Sequence, residues 1–382
     1  MSARGRDRWV YLRSHPVLFA LLAATRHRPA LRLGGNVLVH DREAYRAALT
    51  KIPLDRTAEG TTGGAAGSLA GPGALFDQHG DDHRGTRRDT ADLLSAAGVA
   101  RLRPVWTTLL ADRLPSLATG HSLDVVPLAT ELAGATAAAL LKIDVDPLEL
   151  AAAAQDAAAT AARAHLPGPA RKRSEKAAEA KAAYLLDLLT TKIPSRTRPQ
   201  DDGHRQGPGS CPARQPDTGD RDDAGLAAML AVAAINTTVA AIPRAVAWAC
   251  DADLWEHASS PALADELLRV TAPTPLLPRV AAAEARLGGC PVHPGDRMLL
   301  VARHAADAHR SDPGPAHPAP AQISQLVFGA GPHACPGARL ARTQMQDVLA
   351  ALAPYRPEVI RARADRRAAL PGWRSLTVRA TR

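Results

Sequence analysis

Cys335 lies in the segment Phe328 to Arg342, FGAGPHACPGARLAR, where a reactive residue is framed by conformational punctuation. Gly329, Gly331 and Gly337, with Pro332 and Pro336, describe a rigid turn whose backbone can come close to a flat group. Cys335 stands at its exit, just before an amphipathic helix expected from Gly337 to about Leu352. There the positive helix end lowers a thiol's pKa and favours the thiolate, the form a metal ligand requires. The other cysteines, Cys211, Cys250 and Cys290, are spaced about forty residues apart with no CxxC pair, so the set suggests neither a zinc ribbon nor a disulfide framework.

Four further groups carry chemical potential. Ala233-Ala234-Ile235-Asn236-Thr237-Thr238 puts three consecutive polar residues inside an apolar helix, where hydroxyls bonding back to the preceding turn are the simplest expectation. Glu266 and Arg269 are three apart and so share a helix face, as a surface ion pair would. His83 and Arg87 are four apart in a charged stretch that reads on its own as a solvated helical face, and Arg279 sits in the strand-like Pro278-Arg279-Val280.

The positioning elements are mostly helical, since Ala and Leu dominate the apolar residues. Leu31–Leu33 and Val37–Val39 flank Gly34-Gly35 as a hairpin, and Asp41 caps a helix to about Thr50. The stretch from Lys51 to Gly73 reads as loop. Helical spacing runs from Asp82 to about Leu141 with breaks at Pro104 and near Gly120, then over Ala151–Ala164 and Arg171–Leu189. Residues 194–223 are rich in Pro, Gly, Asp and Arg and read as a mobile loop. Gly225–Ala249, apolar on nearly every side, reads as a helix through the middle of a core. A helix over Pro261–Thr271, strands near Leu276–Ala281, Ala285–Val292 and Met298–Val301, and an edge strand over Ser375–Ala380 complete a mainly α chain with a small β region.

A net charge of +9 does not make a nucleic-acid surface here, because only six of the 47 basic residues are Lys, the arginines are scattered, and 3% aromatics leave few stacking platforms. The apolar run Pro16–Ala24 is too short to span a bilayer, so a cytoplasmic protein with neither membrane nor nucleic acid as partner is expected.

The cysteine segment resembles the haem-binding loop of the cytochrome P450 family, FGxGxHxCxG, at Phe328, Gly329, Gly331, His333, Cys335 and Gly337. The resemblance extends in order along most of the chain and implies one cytochrome P450 domain over residues 1–382. It implies that Cys335 ligates the iron of haem b (iron protoporphyrin IX), that Phe328 packs on the ligand side of the ring, and that His333, His83, Arg87 and Arg279 meet the propionates. Glu266 and Arg269 are similar to the ExxR brace. Residues 233–238 are similar to (A/G)Gx(D/E)TT on the oxygen side, with Thr237, Asn236 and Thr238 as catalytic candidates and Ala234 against the cofactor. Ala234 replaces the family's Gly and Asn236 its acid, and between Asp312 and Val327 the meander is shortened and lacks the Arg that joins the brace, leaving a partner such as His317.

The implied activity is monooxygenation of a small organic molecule by molecular oxygen, with electrons from a separate ferredoxin and ferredoxin reductase, in bacterial secondary metabolism. Arg84, Arg88, Arg103, Arg339 and Arg342 are the expected docking charges. Oxidative coupling or a peroxide-driven reaction is the alternative the replaced acid suggests, and haem binding without turnover the one suggested by the shortened meander together with the altered central helix. Residues 55–80, 151–189 and 276–281 are expected to line the substrate pocket.

Overall fold

The computed structural model describes residues 2–61, 63–64, 67, 88, 90–164, 171–192 and 218–381. Two helices, α1 (Ala3–Ser14) and α2 (Pro16–Thr25), lead into the expected hairpin of β1 (Ala30–Leu33) and β2 (Asn36–Val39), with Gly34 at φ 60°. The Asp41 carboxylate accepts from the Ala44 amide at 2.9 Å and starts α3 (Arg42–Thr50). A two-residue strand, β3 (Leu54–Asp55), follows, too short to show as alternation. α4 (Ala96–Arg113) runs straight through Pro104, where a break is expected from sequence. Its buried Val99, Leu102, Trp106 and Leu110 supply packing that outweighs the roughly 3 kcal/mol cost of an interior proline.

After β4 (Ser122–Asp124) come α5 (Val125–Leu141), α6 (Pro147–Ala164), α7 (Arg171–Thr190) and the 34-residue α8 (Thr218–Asp251). Residues 194–217 of the expected mobile loop lie outside the described residues, and from Thr218 the backbone is already helical rather than loop. Then follow α9 (Pro261–Thr271), β5 (Leu277–Ala281), β6 (Ala285–Leu287), β7 (Cys290–Val292), β8 (Arg297–Leu300), α10 (Ala338–Leu352), β9 (Pro357–Ala364) and β10 (Trp373–Ala380).

The strands form a five-stranded sheet in the order β1-β2-β8-β5-β3, a three-stranded sheet β4-β10-β9 and the pair β6-β7. β10 is therefore a central strand, not the expected edge. Its alternation reports one buried face, Trp373, Leu376 and Val378, and says nothing of how many neighbours it has.

α8 runs through the core: every residue from Val239 to Ala249 is buried. Ala224–Asp251 is long and apolar enough to cross a membrane by composition, and burial within the protein accounts for that apolarity. α1 is tied to α8 by buried Asp7, which accepts from Arg244 at 2.5 Å and from Arg303 at 3.1 Å.

Three histidines pack together between α2, β2 and the segment after β8. Thr25 Oγ1 donates to Leu21 O at 2.8 Å, so at 3.0 Å it accepts from His40 Nε2, and His40 Nδ1 then accepts from His304 Nδ1 at 2.8 Å. The His309 ring lies 4.5 Å from that of His304. Burial first, then neighbouring cations and imidazoles (Arg26, Arg303, Arg310 and His27, against the single Asp307), lower the pKa values to about 4 for His40, about 2 for His304 and about 4 for His309. Histidines in the unfolded chain titrate near 6.5. Their contribution is thus complete above about pH 6.5 and is lost as pH falls toward 4, by up to about 1.4 kcal/mol per pH unit per histidine. The urea midpoint should drop steadily over that window, and a midpoint independent of pH there would contradict this.

Candidate active site

The loop carrying Cys335 is built by glycine geometry. Gly329 and Gly331 adopt φ 81° and 72°, which side chains rarely tolerate, and residues 331–333 form a single 3-10 turn containing half-buried His333. The turn closes where the Cys335 amide donates to Phe328 O at 2.8 Å, and α10 begins three residues later. Cys335 is exposed.

Two elements seat the loop. A side chain at Gly331 would press on Leu49 O at 3.0 Å and Thr50 Cγ2 at 3.1 Å, so the C-terminal end of α3 lies directly against it. On the same helix, buried Tyr45 donates its hydroxyl to Leu326 O at 3.0 Å. Phe328 packs against both large apolar clusters, one around α4, α8 and α10 and one around α3 and the five-stranded sheet. Its ring carries the Arg342 guanidinium at 4.7 Å, and Arg342 Nε donates to Asp265 at 2.5 Å. Arg342 thus links the loop to α9.

On α9, Glu266 and Arg269 form a bidentate pair at 2.9 and 2.7 Å, each 1% exposed. Burial works to raise the Glu266 pKa, yet Arg269 and the amides of Gly314 and Ala319, each at 3.0 Å, hold it below the usual carboxylate range. Arg269 also donates to Ala306 O, Ser311 Oγ and Asp312 O at 3.3, 3.0 and 3.2 Å. The brace is complete without the family's extra arginine. The His317 side chain expected to replace it is exposed, and backbone groups of the proline-rich segment after Arg310 do the work instead.

The oxygen-side candidates lie together on α8. Between Val232 and Thr238 only Ile235 is buried, whereas the next eleven residues all are, so this core helix is partly accessible at its polar residues. Thr237 Oγ1 donates to Ala233 O at 2.8 Å and lies 3.4 Å from Ala234 O. With its hydrogen so used, it offers lone pairs and acts as an acceptor. Asn236 Nδ2 donates to Val232 O at 2.8 Å and to Ala154 O of α6 at 3.3 Å. Ala234 and Thr238 are partly exposed on the same stretch.

Arg279 lies on β5 and donates to Pro278 O at 2.7 Å; burial lowers its pKa, against the Tyr45 phenol, which raises it. Arg56 lies close by: burial, then Arg279, lower its pKa to about 10. Sequence reasoning gives no signal for Arg56 or Tyr45, whose only link to the site is spatial. His83, Arg87 and Arg84 fall outside the described residues. Of the expected docking arginines, Arg88 and Arg339 are exposed, while Arg103 and Arg342 are engaged with Asp347 and Asp265.

Residues 261–353, from the start of α9 past the end of α10, match the family model for cytochrome P450. No curated protein matches the chain. Among solved structures, P450BioI in complex with hexadec-9Z-enoic acid ligated acyl carrier protein is 18% identical, with 97% of this chain and 99% of that chain covered and a TM-score of 0.74. CYP109E1 from Bacillus megaterium in complex with testosterone is 18% identical, with 98% and 100% covered and a TM-score of 0.73. The mycinamicin VIII C21 methyl hydroxylase MycCI from Micromonospora griseorubida, bound to mycinamicin VIII, is 22% identical, with 93% and 95% covered and a TM-score of 0.71. At such identities the likeness is one of fold, mainly α with a small β region.

Proposed function

We propose that the chain, with that fold along nearly its whole length and the family model matching 261–353, is a cytochrome P450 and acts as a haem-thiolate monooxygenase of a small organic molecule. The carrying observation is Cys335 in a glycine-shaped loop braced on three sides, by α3, α9 and α10. Cys335, exposed at the exit of that loop and just before α10, suits a metal brought in by an organic macrocycle. The buried guanidinium of Arg279, with the partly buried Arg56 near enough to feel its charge, suits its carboxylates. On both counts the described residues suit a haem, and haem b is the form proposed.

Haem bound through one electron-rich thiolate supplies the oxidising chemistry and favours O–O cleavage. The protein's part is positioning and protons. Cys335 would provide the ligand, Phe328 would cover its side of the ring, and His333 with Arg279, Arg56, His83 and Arg87 would hold the propionates. Ala234 would border the ring, its methyl narrowing the space where the family has glycine. Thr237 is aligned by its bond to Ala233 to accept a hydrogen bond on the oxygen side, with Thr238 beside it.

The chain acts as one domain, is cytoplasmic, and draws electrons from a separate ferredoxin and ferredoxin reductase that meet Arg88 and Arg339. The substrate belongs to bacterial secondary metabolism, a reading supported by the mycinamicin VIII bound in the MycCI structure. Turnover with a surrogate ferredoxin system under isotopic dioxygen tests this: product should carry the label. Thr237→Ala should lower product on the order of 100-fold while oxygen uptake persists as peroxide. Unlabelled coupled product, or turnover only with added peroxide, would favour the alternative that Asn236, which cannot titrate, suggests.

A further inference from the structure

Between Pro357 and Ala380, the hairpin of β9 and β10, the chain carries six arginines and two acids. The antiparallel register sets Arg361 opposite Thr377 and Arg363 opposite Ser375, while Ala362 pairs with buried Leu376 on the other face. Arg361 and Arg363 therefore stand together on the solvent face, two residues apart. The register slips between Trp373 and Ser375, where Arg374 is exposed, and Arg366 and Arg367 are exposed in the loop that joins the strands.

The nearby carboxylates are already engaged. Glu358 takes Arg379 at 3.3 Å, and Asp365 Oδ1 accepts from the amides of Arg367 and Ala368 at 2.7 and 3.1 Å. Asp124 of β4, the residue across from Thr377 on the other side, accepts from the amides of Val126 and Leu376 at 3.0 Å each. Among the described residues Arg361, Arg363, Arg366, Arg367 and Arg374 have no carboxylate partner. Five like charges on one hairpin repel each other, a cost that an anionic partner would remove. Charges that only protect a free sheet edge belong on the edge strand, here β9. Arg374 is instead on the central β10, and Arg366 and Arg367 lie in the loop beyond both strands.

We propose that the solvent face of this hairpin docks an acidic protein surface. Its eight-residue strands span roughly 26 Å. That is too long for one small anion and suits carboxylates spread over a folded surface, where each guanidinium can take one bidentately. Other polyanions fit the hairpin less well. Its one aromatic residue, Trp373, is 3% exposed, so bases have nothing to stack on. Ile360 is its sole exposed large apolar side chain, too little to insert into a lipid surface. The face is also separate from Arg339, one of the arginines assigned to the electron donor: β9 begins past the far end of α10, whose fifteen residues carry the chain roughly 22 Å.

The test measures binding of fluorescently labelled poly-glutamate to the full-length protein at low salt. It compares wild type, Arg361→Glu/Arg363→Glu, and a control pair with the same charge change at exposed positions elsewhere, Arg101→Glu/Arg286→Glu. The hairpin variant should bind about tenfold more weakly and the control less than about twofold. Arg366→Glu/Arg367→Glu, in the loop, should reproduce the loss without touching a strand. Bound wild type should show slowed hydrogen exchange in peptides from 357–380 and not in those from 338–342. Equal losses in the hairpin and control variants would reduce the effect to net charge, and protection over 338–342 alone would put the probe on the donor's side; either overturns the proposal. Vesicles of phosphatidylglycerol or a DNA duplex that bound more tightly than poly-glutamate, and lost that binding in the hairpin variant, would overturn the choice of an acidic protein.

Discussion

Cys335→Ser should yield a protein that folds but lacks thiolate-bound haem: its reduced carbon monoxide complex gives no red-shifted Soret band, and turnover drops below detection. The expectation follows from placement. Cys335 is exposed at the exit of a turn closed by its own amide, so a side chain lacking one sulfur disturbs no packing, and the 2.8 Å bond to Phe328 O survives the change. A hydroxyl cannot become an anionic soft ligand at neutral pH, so the electron donation that favours O–O cleavage is lost outright. Absorption spectra of the reduced protein decide it, with unfolding midpoints as the check on folding. A variant retaining the red-shifted band would show that another residue is the ligand.

Glu266→Ala should have the largest effect on the fold. It leaves the Arg269 guanidinium buried without its carboxylate, at a cost of about 3–5 kcal/mol, and orphans the Gly314 and Ala319 amides at about 1–3 kcal/mol more. Native stabilities are only about 5–15 kcal/mol. The variant is therefore expected to be insoluble or to unfold at far lower urea, and to hold little haem. Ser311→Ala, which removes one of several bonds to Arg269, should cost about 1 kcal/mol, and His317→Ala less than about 0.5 kcal/mol. A large loss at His317 would reinstate the side-chain partner that the backbone bonds make unnecessary.

The contrast between Glu266 and His317 marks the boundary of what residue order alone makes legible. The cysteine loop, the Glu266–Arg269 pair and the order of helices are local patterns, carried by turn residues, spacing and periodicity over a few residues. What completes them is not local. Tyr45 and Arg56 reach Arg279 across more than two hundred positions, the brace is closed by peptide groups that carry no side-chain signature, and His40 meets His304 across 264 positions. Pro104 within α4 and the central placement of β10 depart from local rules for one reason. Packing against neighbours decides whether a proline interrupts a helix and whether an alternating strand gains a second partner.

X-ray absorption at the iron edge of the haem-loaded wild-type protein addresses the central claim most directly. A single sulfur in the iron's coordination shell, lost in Cys335→Ser, is the predicted result. A shell of nitrogen and oxygen alone, or a sulfur that persists in the variant, would contradict ligation by Cys335 and with it the proposed chemistry.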